Sequence, residues 1–169
     1  MTAGFRQVAV SEIGDAYATY IEVFEWLNAK GVRQWIRAVA REEFAERQRK
    51  GELFAHYLGG RLAAVVILAF EVSSYWPEKI GTDRRWWIKT LAVGRRCPGA
   101  GVGKRVMQES EAQIRGTGAT EALLDCVDVG FLPGYYMQLG YEELGRKDIT
   151  YPSGNTFPMV LMKKNLLGA

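Results

Sequence analysis

The segment that most restricts the fold is 86–105. Here a strand-forming run from Trp86 to Val93 enters Gly94-Arg95-Arg96-Cys97-Pro98-Gly99-Ala100-Gly101-Val102-Gly103-Lys104, and a helical pattern continues as far as Arg115. Gly99, Gly101 and Gly103 stand at alternate positions at the start of that helix, so the backbone can bend tightly and turn several N–H groups toward one point. The helix N-terminus adds a field that favours an anion there. A strand feeding such a turn and helix commits the chain to layers of both element types, with the turn at their junction.

Patterning on either side extends this into a full order of elements. Residues 5–10 alternate as a strand. Residues 16–30 place Tyr17, Tyr20, Ile21, Phe24 and Leu27 at helical spacing, with Gly31 as the stop; a second helix is predicted over 32–50, with Trp35, Ile36, Val39 and Phe44 on its apolar side. Runs at 53–58 and 62–72 flank Gly59-Gly60-Arg61, a hairpin signal. An irregular stretch, 73–85, precedes the strand 86–93, and the helix 101–115 follows its glycine turn. A buried strand at 121–128, a short helix at 132–139 and strands at 141–145 and 157–163 complete the order. The expected fold class is α/β, of the α+β kind: a central mixed, mainly antiparallel sheet of about seven strands flanked by about four helices. With 169 residues, 48% of them hydrophobic and 24% charged, and no repeat or linker-like stretch, the span 1–169 reads as a single domain.

Composition removes several classes of function. The longest apolar run, 62–70, is far short of the ~20 residues that cross a bilayer, and no basic segment followed by an apolar stretch marks a secretory signal, so no membrane partner is expected. Two cysteines, Cys97 and Cys126, and one histidine, His56, cannot assemble a zinc site of the usual kind; no metal is expected, and a reducing cytoplasm is the simplest setting. A net charge of +3 is small for a nucleic-acid binder, so none is expected as partner. Its distribution is uneven. Seven basic residues and no acidic one lie between Arg84 and Gln108, leaving the remainder net acidic. The sequence therefore predicts a local anion-seeking surface around the glycine turn.

Two phosphate-binding patterns fail at that turn. A P-loop requires glycine where Pro98 stands and Ser or Thr where Arg105 stands; a dinucleotide fingerprint requires a third glycine where Lys104 or Val106 stands. What the turn resembles is the acetyl-CoA loop of the GNAT superfamily of N-acetyltransferases: Arg or Gln, two residues, Gly, one residue, then Gly or Ala. Gly101 and Gly103 match, while Pro98 occupies the basic position. About thirty residues on, Tyr135-Tyr136-Met137-Gln138-Leu139-Gly140-Tyr141 is similar to the family's aromatic-Tyr-x-x-x-Gly-aromatic segment, although Val129-Gly130-Phe131 replaces the usual preceding asparagine. The stretch from Gly31 to Trp35 resembles a helix junction in an uncharacterised bacterial branch. With the element order, the resemblance covers nearly the whole chain.

The resemblance implies an acetyl-CoA-dependent N-acetyltransferase that moves an acetyl group directly to a primary amine of a small molecule or peptide, working as a monomer or homodimer. A non-catalytic acetyl-CoA sensor of the same fold is the alternative. It implies that the backbone of Leu91, Ala92 and Val93 holds the pantetheine. Gly99, Ala100, Gly101, Val102, Gly103 and Lys104 would cradle the pyrophosphate, and Arg95, Arg96, Lys104 or Arg105 would reach the ribose phosphate. Tyr136 is the candidate general acid, because a phenol can donate to a departing thiolate without burying a charge. Glu71 is the first candidate base, with Asp83, Asp125 and Asp128 also eligible. Trp26, Trp35, Tyr75, Trp76, Trp86 and Trp87 could line an acceptor pocket, with Trp35 and Trp76 the expected acceptor-pocket residues among them. His56 reads as structural, and Cys97 lacks the neighbouring base that an acyl-cysteine route needs.

Overall fold

A computed structural model describes residues 4–35, 38–97 and 99–168. Seven strands form one sheet, with β1 (Gly4–Gln7), β2 (Leu53–Leu58), β3 (Arg61–Glu71), β4 (Arg85–Val93), β5 (Glu121–Val127), β6 (Glu142–Thr150) and β7 (Thr156–Asn165). Their order is β1-β2-β3-β4-β5-β7-β6. Every neighbouring pair is antiparallel except β4 and β5. The helices are α1 (Ile13–Ala29), α2 (Arg41–Arg49), α3 (Pro77–Ile80), α4 (Val102–Arg115) and α5 (Leu132–Gln138), with a 3-10 turn at Val10–Glu12. The mixed, mainly antiparallel seven-stranded sheet is as expected. There are five helices among the described residues, since α3 interrupts the stretch read as irregular.

Alternation along the long strands divides the core in two. Ala64, Val66 and Leu68 of β3 face α4 and α5, whereas Val65, Ile67 and Ala69 face α1 and α2. On β5, Leu124 and Cys126 take the first face, and Leu123 and Val127 the second. This period of two is what a strand covered on both sides must have. Beyond α2, the second face is closed by Trp76 and Ile80, which pack with Trp87, Leu123 and Leu161.

Several boundaries differ from the sequence reading, and three of them have a physical reason in the structure. The first strand stops at Gln7, and the 3-10 turn takes up its last predicted residue, Val10. The second helix begins only at Arg41, because residues 38–40 run outside any helix and Val39 donates its N–H to the Tyr20 hydroxyl (2.9 Å). The expectation for Ile36, and Pro98 in the turn, lie outside the described residues. Finally, β6 runs on to Thr150 through Arg146, Lys147 and Asp148; it is an edge strand whose charges reach solvent and neighbouring elements.

α4, whose N-terminus carries the glycine turn, is anchored by charge as well as packing. Its Glu111, 3% exposed, accepts from Lys164 Nζ of β7 (2.7 Å) and from the Tyr141 hydroxyl (3.1 Å). Removing one member of such a pair strands a buried charge. Lys164→Met is expected to lower folding stability by about 3 kcal/mol, and adding Glu111→Gln to restore part of it, as read by urea denaturation. A loss too small to resolve would mean that water screens this pair.

Candidate functional site

The site begins with an irregularity in β4. Val65 pairs with Ala92 and Ile67 with Lys89, so two residues, Thr90 and Leu91, oppose the single Val66. Thr90 takes up the extra residue at φ +53°, a left-handed conformation that a β-branched residue rarely adopts. Toward β5 the parallel pairing is recorded only at Trp87 with Leu123. Past that point the strands part, and the β5-facing edge from Thr90 to Val93 has no ladder partner there.

A cavity of about 520 Å3 fills the gap. Ile88, Leu91, Leu124, Cys126 and Tyr136 line it from the α4–α5 side, and Trp35, Lys89 and Asp125 from the other, so it joins the two faces of the sheet. Tyr136 is 7% exposed, and its hydroxyl has no hydrogen bond among the described residues. Burial pushes its phenol above the ordinary range, so it stays protonated at neutral pH. Cys126, beside it, is pushed up to about 12, chiefly by burial, and is no thiolate nucleophile. A second recess, of about 750 Å3, lies between α1 and the β2–β3 end of the sheet. It holds Glu12, Asp15, Glu22, Arg96 and Cys97 and includes neither β5 nor Tyr136.

The glycine turn adopts a conformation only glycine takes readily. Gly99 and Gly101 sit at φ +72° and +67°, and Gly101 precedes the first turn of α4, whose leading N–H groups have no intrahelical acceptor. Gly103 serves a different purpose. A Cβ there would lie 2.7 Å from the Tyr135 hydroxyl, so the glycine admits close contact between α4 and α5. The basic stretch is thinner than its charge count implies. Arg84 donates to the Phe70 carbonyl, Arg85 pairs with Glu121, Lys89 with Glu71, and Arg95 stacks on Trp26 at 3.8 Å. Arg96, Lys104 and Arg105 make no such contact among the described residues, and they flank the turn.

The candidate carboxylates separate clearly. Glu71 is held between Lys89 and Arg47 and does not line the cavity; burial opposes its charge, but these two cations outweigh it and keep its carboxyl below the usual range. Asp128 pairs with Arg146 (2.6 Å), and Asp83 is exposed and away from the cavity. Asp125 lines it. Trp76 Nε1 donates to Asp125 Oδ2 at 2.9 Å, and burial raises the Asp125 carboxyl above its usual range, the indole hydrogen bond and Lys89 only partly offsetting this. Trp76 itself is fully buried, so it meets the pocket through Asp125 rather than lining it as the sequence reading had it. Trp35 does line the cavity, edge-on to Tyr20 at 5.0 Å. His56 pairs through Nδ1 with Glu109 (2.8 Å), away from the cavity. Tyr75, one of the aromatics the sequence offered for a pocket, does line the cavity, where its ring meets that of Tyr151 at 5.1 Å with a tilt of 55°. Sequence reasoning missed Thr90, since threonine carries no mark of a left-handed residue, and also Tyr151. Tyr151 arrives from the β6–β7 connection, whose nearness to β5 no local pattern reveals.

Comparison with known proteins agrees with this geometry. The model of the Acetyltransferase (GNAT) family matches residues 20–141. The Uncharacterized N-acetyltransferase YesJ of Bacillus subtilis (strain 168) is 32% identical over 133 residues, which cover 74% of this chain and 73% of that protein. A GNAT-family acetyltransferase structure from Listeria monocytogenes 4b F2365 superposes with a TM-score of 0.79 at 20% identity, covering 98% of both chains. The polyamine N-acetyltransferase of Drosophila melanogaster, which forms N-acetylagmatine, gives 0.72 at 14% identity over 97% of this chain and 100% of that one. At such identities the structural likeness concerns the fold alone.

The half-buried Asp125 carboxylate has a measurable signature. Because burial raises the folded-state pKa of Asp125, the folded protein holds this proton more tightly than the unfolded chain. The resulting stability is fully present below the ordinary carboxylate pKa and is lost as pH rises through the folded value. Asp125→Asn keeps an oxygen for the Trp76 indole and removes the charge. The variant should melt above the parent at neutral pH, with the difference shrinking in acid; a difference independent of pH would show that Asp125 is freely solvated.

Proposed function

The chain belongs to the Acetyltransferase (GNAT) family and is an acyltransferase; on that basis we propose that it moves an acetyl group from acetyl-CoA to a primary amine of a small molecule or peptide by direct transfer. One observation carries the reading: β4 and β5 part beside the glycine turn, and the opening holds a protonated tyrosine on one side of the sheet and a carboxylate on the other. The backbone of Leu91, Ala92 and Val93 supplies unpaired groups for an amide-rich arm lying in the gap. The N–H groups of the turn from Gly99 to Lys104 take the pyrophosphate, helped by the α4 dipole. Arg96, Lys104 and Arg105, uncommitted elsewhere, take the ribose phosphate.

Direct transfer needs an acyl donor held in place, a neutral amine and a proton for the departing sulfur. Tyr136 supplies the proton; its buried phenol stays neutral and has no competing acceptor. Glu71 is a poor base in this reading, since Lys89 and Arg47 would have to yield a proton-accepting carboxylate they stabilise as an anion. We assign it to holding Lys89 at the edge of the cleft. No helix among the described residues is long and apolar enough to cross a membrane, and the free thiols of Cys97 and Cys126 suit the cytoplasm as the working compartment.

Binding is tested by melting the protein with acetyl-CoA, which should raise Tm by mass action. Neutralising Arg96, Lys104 and Arg105 together should weaken CoA but leave CoA lacking its ribose phosphate nearly unaffected. If the parent binds both forms equally at low salt, these cations do not meet that phosphate. Catalysis is tested by Tyr136→Phe. Acetyl-CoA affinity should survive while turnover, followed as free thiol release, falls by roughly 10²–10⁴-fold. Near-full turnover would make Tyr136 a packing residue.

A further inference from the structure

The acceptor side of the cleft has a chemistry of its own. Trp35, Tyr75, Trp87, Tyr151 and Phe157 wall it, and Asp125 is the carboxylate set among them. Glu43 lines the same cavity but is exposed. Lys89 also lines it, but its charge is taken up by Glu71. Asp125 offers Oδ2 to Trp76, and its other oxygen is uncommitted to any other side chain among the described residues. A fully buried indole therefore fixes one edge of the carboxylate and leaves the other for a ligand.

Resting on the acetyltransferase reading above, we propose that Asp125 receives the acceptor's ammonium group and that the acceptor is a primary amine on a flat apolar body with no carboxylate next to the amine, such as an arylalkylamine. Aromatic walls favour both parts of such a molecule. Their area buries the apolar body, and their faces attract a cation. An α-carboxylate sits only two bonds from the nitrogen, so an amino acid bound through its ammonium would carry its own anion against Asp125. A long polyamine would leave its further charges among rings, with the exposed Glu43 as their one uncommitted lining carboxylate.

The reaction balances with the residues present. Asp125 takes one proton from the ammonium, freeing the lone pair, and a bond forms from nitrogen to the acetyl carbon as the carbon–sulfur bond breaks. Tyr136 gives its proton to the sulfur and recovers one from the acylated nitrogen. Asp125 then releases its proton to water. The raised carboxyl pKa of Asp125 favours its part as acceptor of that proton.

The test compares phenethylamine with phenylalanine, spermidine and an N-terminal alanine peptide as acceptors for the full-length protein, following thiol release. Phenethylamine should exceed phenylalanine in kcat/KM by about 100-fold, the scale of a like-charge clash in a closed site. Asp125→Asn should cut phenethylamine turnover by about 10²-fold and narrow its margin over phenylalanine, with acetyl-CoA affinity unchanged. Narrowing of that ratio is something a merely structural aspartate would not produce. Trp35→Leu, which keeps Asp125, should raise KM for phenethylamine more than for ethylamine, and it stands independently if Asp125→Asn does not fold. Acetyl-CoA binding together with preferred acetylation of phenylalanine, spermidine or the peptide overturns this assignment alone. Failure of acetyl-CoA to bind overturns the acetyltransferase reading beneath it.

Discussion

Thr90 holds a backbone conformation that costs free energy, and the cleft depends on it. Without the extra residue, β4 would continue its ladder with β3 in even register and could stay alongside β5, leaving no unpaired edge and no passage through the sheet. The parallel β4–β5 pair is joined through α4, the crossover that a parallel pair requires. The glycine turn is therefore placed beside the opening by connectivity. Turn, edge and cavity are three results of one departure from regular pairing.

Around that opening, charge is arranged so that few groups remain free. Glu71 is satisfied by two cations, Asp128 by Arg146 and Glu111 by Lys164. Four of the seven basic residues near the turn are likewise engaged. On the cavity wall, the half-buried Asp125 and the buried Tyr136 keep unused bonding capacity, and the buried Trp87 Nε1 has no partner among the described residues, while the exposed Arg96, Lys104 and Arg105 flank the turn unpaired among those residues. Buried or half-buried polar groups ordinarily find partners, so those that do not are where a ligand can bind with the greatest gain.

The fold was legible wherever local chemistry and tertiary environment agreed. Gly59-Gly60 fixed the β2–β3 hairpin, and the alternating or continuous apolar runs marked β2, β3 and β5 closely. The stretch before α2 misled because Trp35 and Val39 fall at helical spacing while serving a cavity wall rather than a helix face. Edge strand β6 was cut short because its charged residues read as loop, although an edge strand tolerates charge on its open side. Within the site, glycine and tyrosine motifs were visible because their roles are local. Asp125 could be named only as one of four carboxylates, since its distinction comes from Trp76, 49 residues away in the chain. The overcount of free cations has the same origin: sequence shows a charge but not its partner.

The close approach of Tyr135 to Gly103 couples two segments that recognition patterns treat as separate words. A larger residue at 103 fits only if the hydroxyl at 135 withdraws, and a bulkier side chain at 135 is tolerated only while 103 stays bare. The two positions therefore share one volume and drift as a unit. In descendants of this chain a change at either should be accompanied by a change at the other, so the phosphate turn and the aromatic helix inherit a common history.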